Sequence, residues 1–301
     1  MTKNEIKTRC AICNTEGNSD VRIPSNFDEH SFTTQVFSAR RMPDRRYFQW
    51  VECKECSLWR SDPIIVLPLD RLYKESSFDY GDEVSGLSKT YLNLFARTKP
   101  ANNPSVLEIG GGNGFFLDAL LDKYNAQIAG VEPSIDAVNK ASDRVKPHMV
   151  TAMMESGLFD HEKFSQVCIF HVLDHLPNPA STLNQIRDVL ADNGSVLIAV
   201  HNVDSWSSKL LKSKSPIFDV EHTYLYSKKS ITRLLIQCGY VEVKVRGYWN
   251  LYSLRYLTQL LPLPRRMKAL ALNNKHMSKI LGKIRIWMPL GNMTATAKKF
   301  I

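Results

Sequence analysis

The 301-residue chain lacks long apolar runs, low-complexity tracts and internal repeats. No uninterrupted apolar stretch approaches the roughly 20 residues that a membrane-spanning helix needs. The first ten residues, MTKNEIKTRC, contain no apolar core of a secretory signal. With 44% hydrophobic and 23% charged residues, the composition is typical of a globular protein. We therefore expect a cytoplasmic protein with one large core or two modest ones.

Acidic residues are absent from 250–301, a segment that carries ten lysines and arginines. The other 249 residues carry 29 basic and 30 acidic side chains, a net charge of −1. The overall charge of +9 therefore belongs to the C-terminal segment and not to the body. This asymmetry indicates a local electrostatic task and argues against a protein that coats nucleic acid over a broad surface.

From residue 105 onward, strand patterns alternate with helical patterns, which predicts a mostly parallel sheet with helices on both faces. We predict an α/β fold with a small domain over 1–62, a helical linker over 63–104, and a sheet domain over 105–301 with an insertion at 250–290. The predicted strands are 105–110, 126–132, 147–152, 165–172, 195–202, 241–249 and 292–299. The predicted helices are 115–123, 134–145, 180–191 and 228–240, the last ended by Gly239.

The strongest chemical signal is the glycine-rich turn in VLEIGGGNGFF, where four glycines follow Glu108 within residues 110–114. Glycines let the backbone turn sharply and bring a ligand against main-chain N–H groups at a helix N-terminus. The spacing E-x-G-x-G-x-G differs from the G-x-G-x-x-G of dinucleotide sites. Glu132 ends the second strand, 18 residues after Gly114, where it can accept hydrogen bonds from a ribose diol. The pattern favours a nucleoside ligand.

These residues resemble the class I S-adenosylmethionine-dependent methyltransferases, over about 105–249 and the strand at 292–299. The resemblance implies a Rossmann-like, seven-stranded sheet with S-adenosylmethionine as cofactor. It also implies that Glu108 supports the methionine amine and that Glu132 holds the ribose hydroxyls. The glycines that would line the methionine and ribose are Gly110, Gly112 and Gly114. The loop TAMMESG would contact adenine, with Met154 and Glu155 as candidates.

Four of the six cysteines form two pairs, Cys10-x-x-Cys13 and Cys53-x-x-Cys56. Two such pairs suit a structural, tetrahedral zinc ion, because each spacing lets one pair bind the metal from a tight turn. A redox pair is the alternative. A zinc ribbon ahead of this core resembles the deoxysugar C-methyltransferases, which are longer and carry a second Rossmann-like domain.

Polar side chains collect where two predicted strands end, at the edge of the sheet where the acceptor of a methyltransferase sits. They are His171, Asp174, His175, His201 and Asn202. A second segment, FDVEHTYLYS at 218–227, contains adjacent Glu221 and His222 and a predicted helix N-cap at Ser227.

The deoxysugar methyltransferases have a similar strand end and a similar E-H-x-x-x-x-S segment. This resemblance implies that His175 and the pair Glu221–His222 flank the acceptor. A histidine base could take a proton from a hydroxyl or from a carbon next to a ketone, with Glu221 fixing its tautomer. We expect His171 to line the cofactor pocket. Some methyltransferases of quinone precursors hold a divalent metal here with Glu-x-x-Glu-His. Because His171 and Asp174 replace the two glutamates, a metal is the weaker alternative.

The insertion predicts an amphipathic helix with apolar and basic faces at 100° per residue. The apolar residues are Leu270, Met277, Leu281, Ile284 and Met288. The basic residues are Arg265, Lys268, Lys275, Lys279 and Lys283. Either the apolar face packs on the domain, or residues 265–288 make peripheral contact with anionic membrane at its inner face. Nucleic acid is disfavoured as a partner, because the body is neutral.

These observations predict an S-adenosylmethionine-dependent methyltransferase of a small-molecule acceptor, a sugar or a glycan- or lipid-linked precursor. Transfer would be in line, with His175 or His222 as base. An RNA methyltransferase and a non-catalytic cofactor-binding adaptor are the two alternatives.

Overall fold

A computed structural model gives the structure of residues 5–26, 46–65, 69–77, 79–159, 162–261 and 263–300. The strands are β1 (Glu5–Ile6), β2 (Ser19–Ile23), β3 (Trp50–Cys53), β4 (Trp59–Ser61), β5 (Ile64–Ile65), β6 (Ser105–Ile109), β7 (Gln127–Val131), β8 (Met149–Val150), β9 (Phe164–Phe170), β10 (Leu190–His201), β11 (Tyr224–Leu225), β12 (Tyr240–Gly247), β13 (Asn250–Ser253), β14 (Arg285–Met288) and β15 (Asn292–Lys299).

The helices are α1 (Leu69–Lys74), α2 (Val84–Ala96), α3 (Phe115–Lys123), α4 (Ile135–Asn139), α5 (Pro179–Val189), α6 (Trp206–Leu211), α7 (Lys228–Gln237), α8 (Leu254–Leu260), α9 (Arg265–Asn273) and α10 (Lys275–Lys283). None of the helices in the described ranges is long and apolar enough to cross a membrane.

The largest sheet has seven strands in the order β12-β15-β10-β9-β6-β7-β8. Strand β15 is antiparallel to both neighbours, and the remaining pairs are parallel. Alternate residues of one strand enter two different cores: Val167 and Ile169 face one hydrophobic cluster, and Cys168 and Phe170 face the other. A sheet buried on both faces is typical of α/β folds, and the predicted Rossmann-like architecture is confirmed.

Helix α7 shows how local signals set the element boundaries. Ser227 is its N-cap and forms a capping box with Ser230, and Gly239 ends the helix with a φ of +79°. Helix α4 is shorter than the predicted 134–145. It ends at Asn139, and Ser142 and Arg144 instead donate hydrogen bonds to Asp118 on α3 at 2.8 and 2.6 Å.

The insertion differs from its predicted helix. It contains the antiparallel pair β13 and β14 and three short helices. Asn274 ends α9 and caps α10, accepting a hydrogen bond from the Met277 N–H at 3.1 Å. The predicted continuous apolar face is therefore wrong, since Leu270 lies on α9 while Ile284 and Met288 lie beyond α10.

Helix α2 packs against the root of the insertion. A Cβ on Gly86 would overlap the carbonyl oxygen of Leu251, so only glycine permits this approach. The Leu251 N–H donates to Thr90 Oγ1 at 3.1 Å, and the Ser253 hydroxyl donates to buried Glu83. Residues from the linker and from the insertion therefore form one cap over the sheet.

The N-terminal region forms a four-stranded sheet in the order β11-β4-β3-β2. Its edge strand β11 comes from the segment FDVEHTYLYS, where Tyr224 pairs with Arg60. The Ser61 hydroxyl donates to the carbonyl of His222 at 3.0 Å, across 161 residues of sequence. The N-terminal sheet is thereby joined to the segment that carries Glu221 and His222.

Candidate active site

A cavity of about 470 Å³ lies at the carboxyl ends of β6, β7, β9 and β10. Gly110, Glu132, His171 and His201 line it from these four strand ends. This is the crevice where open α/β sheets bind ligands. Tyr256 of the cap closes part of the wall, so the cavity lies between the sheet and the cap.

The glycine turn has a backbone that other residues rarely adopt. Gly110, Gly112 and Gly114 have φ values of +70°, +56° and +70°, in the left-handed region. A Cβ on Gly110 would overlap the side chain of Val172, and a Cβ on Gly114 would overlap that of Val145. The turn therefore requires glycine for both its conformation and its close packing.

Glu132 is held in place by the backbone of this turn. Gly112 N–H donates to its Oε2 and Ser134 N–H to its Oε1, each at 2.9 Å. Burial raises the pKa of Glu132, and these two hydrogen bonds lower it in part. Each carboxylate oxygen retains acceptor capacity for a further donor such as a ribose hydroxyl.

Glu108 lies beneath the turn and is 2% exposed. Its Oε2 has no hydrogen-bond partner among the described residues. Burial, and then the charge of Glu132, raise the pKa of Glu108 well above its usual value. An unsatisfied buried carboxyl at this position fits a cationic ligand group such as an ammonium.

The loop after β8 separates the two adenine candidates. Met154 is half-buried and lines the cavity. Glu155 is exposed and lies outside the cavity wall formed by the described residues. The expected contact of this loop therefore rests on Met154 alone.

Four histidines from three segments surround one aspartate near the ends of β9 and β10. The ring centroids of His171 and His201 are 4.7 Å apart, those of His175 and His222 are 4.7 Å apart, and those of His201 and His222 are 5.2 Å apart. The Thr223 and Tyr224 N–H groups both donate to the Asp174 carbonyl, at 2.9 and 3.1 Å. The strand end FHVLDHLPNP and the segment FDVEHTYLYS thus lie together, as predicted.

Asp174 is fully buried, and its two carboxylate oxygens have no hydrogen-bond partner among the described residues. Burial alone would raise its pKa, but the charges of His175, His222, His201 and His171 outweigh burial and lower the pKa to about 2. Asp174 is therefore an ionised carboxylate in the middle of four imidazoles.

His222 has the more defined tautomer of the two candidate bases. Its Nδ1 lies 2.7 Å from the carbonyl of Ile217, which can only accept, so Nδ1 carries the proton and Nε2 is the basic nitrogen. Glu221 does not orient this neighbouring histidine. Its Oε2 lies 3.9 Å from Nδ1 of His175 instead.

Three supporting residues escaped sequence analysis. Tyr248 Oη lies 2.9 Å from His171 Nε2, Asn292 Oδ1 lies 2.9 Å from His201 Nδ1, and Tyr73 Oη lies 3.4 Å from His175 Nδ1. These partners are 77, 91 and 102 residues from their histidines, and no local pattern marks them.

The histidine cluster also offers ligand atoms for a metal ion. Donor atoms of His171, Asp174 and His201 lie within 4.8 Å of one another, as do those of Asp174, His175 and His222. These nitrogen and carboxylate donors could hold a divalent metal ion, and they could equally exchange protons with a substrate.

The four paired cysteines converge at one point of the N-terminal sheet. Their Sγ atoms all lie within 4.8 Å of one another. A hydrogen bond with Cys56, at an Sγ–Sγ distance of 3.4 Å, lowers the pKa of Cys10 to about 5. Asn14 and Ser57, the residues after each pair, share φ values of +55° and +59°. Two matching turns with four convergent thiols fit a structural zinc ion.

The sequence model of a family described as a methyltransferase domain matches residues 83–245, more than half of the chain. The chain belongs to this methyltransferase family. The match begins after the cysteine region and ends before the insertion.

This methyltransferase is 25% identical over 154 residues to the tRNA U34 carboxymethyltransferase of Vibrio atlanticus, covering 48% of the chain and 47% of that relative. It is 26% identical over 156 residues to the protein of the same name from Chromohalobacter salexigens, with coverage of 48% and 47%. The chain thus spans about half the length of the curated relatives it matches.

The methyltransferase is also similar to a solved complex between the Haloferax volcanii Trm112 methyltransferase activator and a methyltransferase. The TM-score is 0.50 at 16% identity, covering 72% of this chain and 91% of that one. The likeness concerns the fold alone.

Proposed function

We propose that this methyltransferase transfers a methyl group from S-adenosylmethionine to a small acceptor, a sugar or a glycan- or lipid-linked precursor. The proposal depends on one observation above all. A single cavity of about 470 Å³ has both the glycine turn and the histidine cluster in its wall. This volume lies in the range of small-molecule sites, and donor and acceptor would meet within it.

The wall on the cofactor side of the cavity, and Glu108 buried behind that wall, supply the groups that would bind S-adenosylmethionine. Glu108 would receive the methionine ammonium, Glu132 the ribose hydroxyls and Met154 the adenine face. Bound S-adenosylmethionine supplies an electrophilic methyl group. Gly110 and Gly112 line the cavity and, having no side chains, leave room for the cofactor. Their N–H groups donate to the Val131 carbonyl and to Glu132, so the turn holds the site in shape.

His222 is the base in this proposal. Its Nε2 takes the proton from the acceptor hydroxyl or acidic carbon, and the imidazolium that forms lies next to ionised Asp174. His175 would orient the acceptor with Glu221. The four cysteines would hold a structural zinc ion, remote from the chemistry but joined to His222 through β4 and β11.

RNA is the second candidate acceptor, and two observations favour it. The curated relatives are named tRNA U34 carboxymethyltransferases, and residues 250–301 carry ten basic and no acidic side chains. The neutral body argues against an extended RNA surface.

The cofactor assignment is tested by titrating the wild type and Glu132→Ala with S-adenosylmethionine in a calorimeter. We expect the variant to lose about a hundredfold in affinity, since it loses a charge-assisted acceptor for the ribose. Glu52→Ala, on strand β3 of the N-terminal sheet, is the matched control. Unchanged affinity in Glu132→Ala would refute the assignment.

The acceptor class is tested with S-adenosylmethionine labelled in its methyl group. The protein is incubated with bulk tRNA, with a nuclease-treated small-molecule extract and with a lipid extract. We expect label in the small-molecule or lipid fraction, and about 100-fold less label with His222→Gln, which keeps cofactor affinity. Label confined to tRNA would contradict the proposed acceptor class.

A further inference from the structure

The insertion exposes large apolar side chains in unusual density. Of the sixteen most exposed large hydrophobic residues in the described ranges, seven lie within 261–287. They are Leu261, Met267, Leu270, Met277, Ile280, Ile284 and Trp287. Leu270 is 78% exposed. Clusters of exposed apolar side chains are typical of surfaces that contact a membrane or another protein.

Helix α10 has three distinct sides. Met277 and Ile280 are exposed at a spacing of three residues, so they share one side. Gly282 is buried against Asp82 of the cap and defines the inner side. The basic side borders the inner side, because its three lysines line one groove with Asp82 and Gly282: Lys275, Lys279 and Lys283.

The charge of the insertion is entirely of one sign. Residues 250–290 contain eight lysines and arginines and no aspartate or glutamate. An apolar ridge next to a basic row matches the acyl and headgroup layers of an anionic bilayer. RNA would use the basic row but gains nothing from exposed methionine, isoleucine and leucine side chains.

We propose that residues 254–288 dock on an anionic phospholipid membrane, with α9 and α10 in the interface. Met267, Leu270, Met277 and Ile280 enter the acyl boundary, and the lysines contact lipid phosphates. This inference rests on the proposed function and deepens it, because a docked enzyme would receive a lipid-linked acceptor.

The cavity adjoins this surface. Leu260 lines the cavity, and its neighbour Leu261 is exposed. Leu290 lines the cavity from the other end of the insertion. Trp206 is 55% exposed beside it, and its indole N–H donates to the Pro289 carbonyl at 2.9 Å. A half-exposed tryptophan with a satisfied N–H is typical of membrane interfaces.

Vesicle co-sedimentation tests the proposal, with phosphatidylcholine vesicles containing 30% phosphatidylglycerol compared with pure phosphatidylcholine. We expect the wild type to bind the anionic vesicles. The double variant Met277→Ser, Ile280→Ser should bind about tenfold more weakly. The triple variant Lys275→Gln, Lys279→Gln, Lys283→Gln should bind about a hundredfold more weakly.

Matched controls lie on helix α7. Ile236→Ser removes an apolar side chain that is 59% exposed, and Lys228→Gln with Lys229→Gln removes two exposed charges. Neither control should alter vesicle binding. Unchanged binding by the Met277, Ile280 variant would overturn the membrane surface, as would binding of bulk tRNA that needs the lysines but not the apolar pair.

A parallel titration with S-adenosylhomocysteine separates this inference from the proposed function. A wild type that binds the nucleoside but no anionic vesicle refutes the membrane surface alone. A wild type that binds vesicles but no nucleoside refutes the proposed methyl transfer.

Discussion

The two halves of the cavity are built in different ways. The cofactor half is shaped by one local stretch of backbone, the left-handed glycines of residues 110–114, which also fixes the side chain of Glu132. The acceptor half consists of side chains from segments far apart in the chain, held by hydrogen bonds across 77 to 102 residues. A site fixed by local backbone suits one constant ligand, whereas a site built from distant side chains can change its ligand through single substitutions.

The halves also differ in their buried carboxyl groups. Glu108, on the cofactor side, has a raised pKa because it is buried beside Glu132. Asp174, on the acceptor side, has a pKa lowered to about 2 because the histidines outweigh its burial. The pKa values of the two buried carboxyl groups are therefore shifted in opposite directions.

Loss of the zinc site should give the largest difference between the two halves, because it should impair acceptor methylation and leave cofactor binding almost unchanged. In Cys53→Ser we expect acceptor methylation to fall more than about a hundredfold, because β11 loses its partner sheet and His222 shifts. S-adenosylmethionine affinity should stay within about threefold. Metal analysis should find one zinc ion per wild-type chain and none in the variant.

Cys238→Ser is the matched control, since Cys238 is buried but lies outside the four-cysteine cluster. It should retain zinc and activity. A metal ion that persists in Cys53→Ser would indicate that the histidine cluster binds metal. The acceptor half would then be a metal site, and its histidines would not serve as bases.

Gly110→Ala should damage the cofactor half alone. The new Cβ overlaps Val172 and is strained at a φ of +70°, which together cost about 3 kcal/mol, or about a hundredfold in S-adenosylmethionine affinity. Gly17→Ala is the control, because Gly17 has a φ of +73° with no atom within 4 Å of the new Cβ. Equal loss of affinity in both variants would contradict the packing argument.

Asp174→Asn should destabilise the acceptor half by about 2–3 kcal/mol, because it removes the counter-charge of the histidines. The folded-state pKa of about 2 lies below the usual 3.8, so the stabilisation is complete above pH 3.8 and is lost as the pH falls toward 2. Urea unfolding at several pH values measures it. A stability difference that grows as the pH falls would refute this account.

Glu108→Gln should have the smallest effect and the opposite sign. The raised pKa keeps this carboxyl protonated in the folded protein, so the wild type loses stability as the pH rises above 4.5. We expect the cofactor-free variant to gain about 1 kcal/mol at pH 8, or about 2–4 °C in Tm, while it binds S-adenosylmethionine more weakly. A lower Tm at pH 8 would show that Glu108 is ionised in the folded chain.

The parts of the fold and site that depend on neighbouring residues were predictable from the sequence. The glycine turn, the Ser227 cap and the alternation of strands and helices are local patterns, and the structure has all three. The boundary between α9 and α10 at Asn274 was also predictable, because asparagine is a preferred N-cap. The regular spacing of apolar residues across this position favoured one continuous helix instead.

Contacts between distant segments were not predictable in the same way. Glu221 precedes His222 in sequence, yet its carboxylate Oε2 lies 3.9 Å from Nδ1 of His175, which belongs to a different segment. The partners Tyr73, Tyr248 and Asn292 carry no local signal, since only the folded cap and sheet bring them to the histidines.

The pairing of β4 with β11 has a consequence for the order of synthesis. All four paired cysteines have been made by residue 56, but the edge of β4 lacks its partner until residues 224–225 appear. At about 5–20 residues per second, the ribosome needs roughly ten to thirty seconds to add the intervening segment. During that interval five strands of the large sheet are synthesised, from β6 to β10. The N-terminal sheet is therefore begun first and completed only after most of the parallel sheet has emerged.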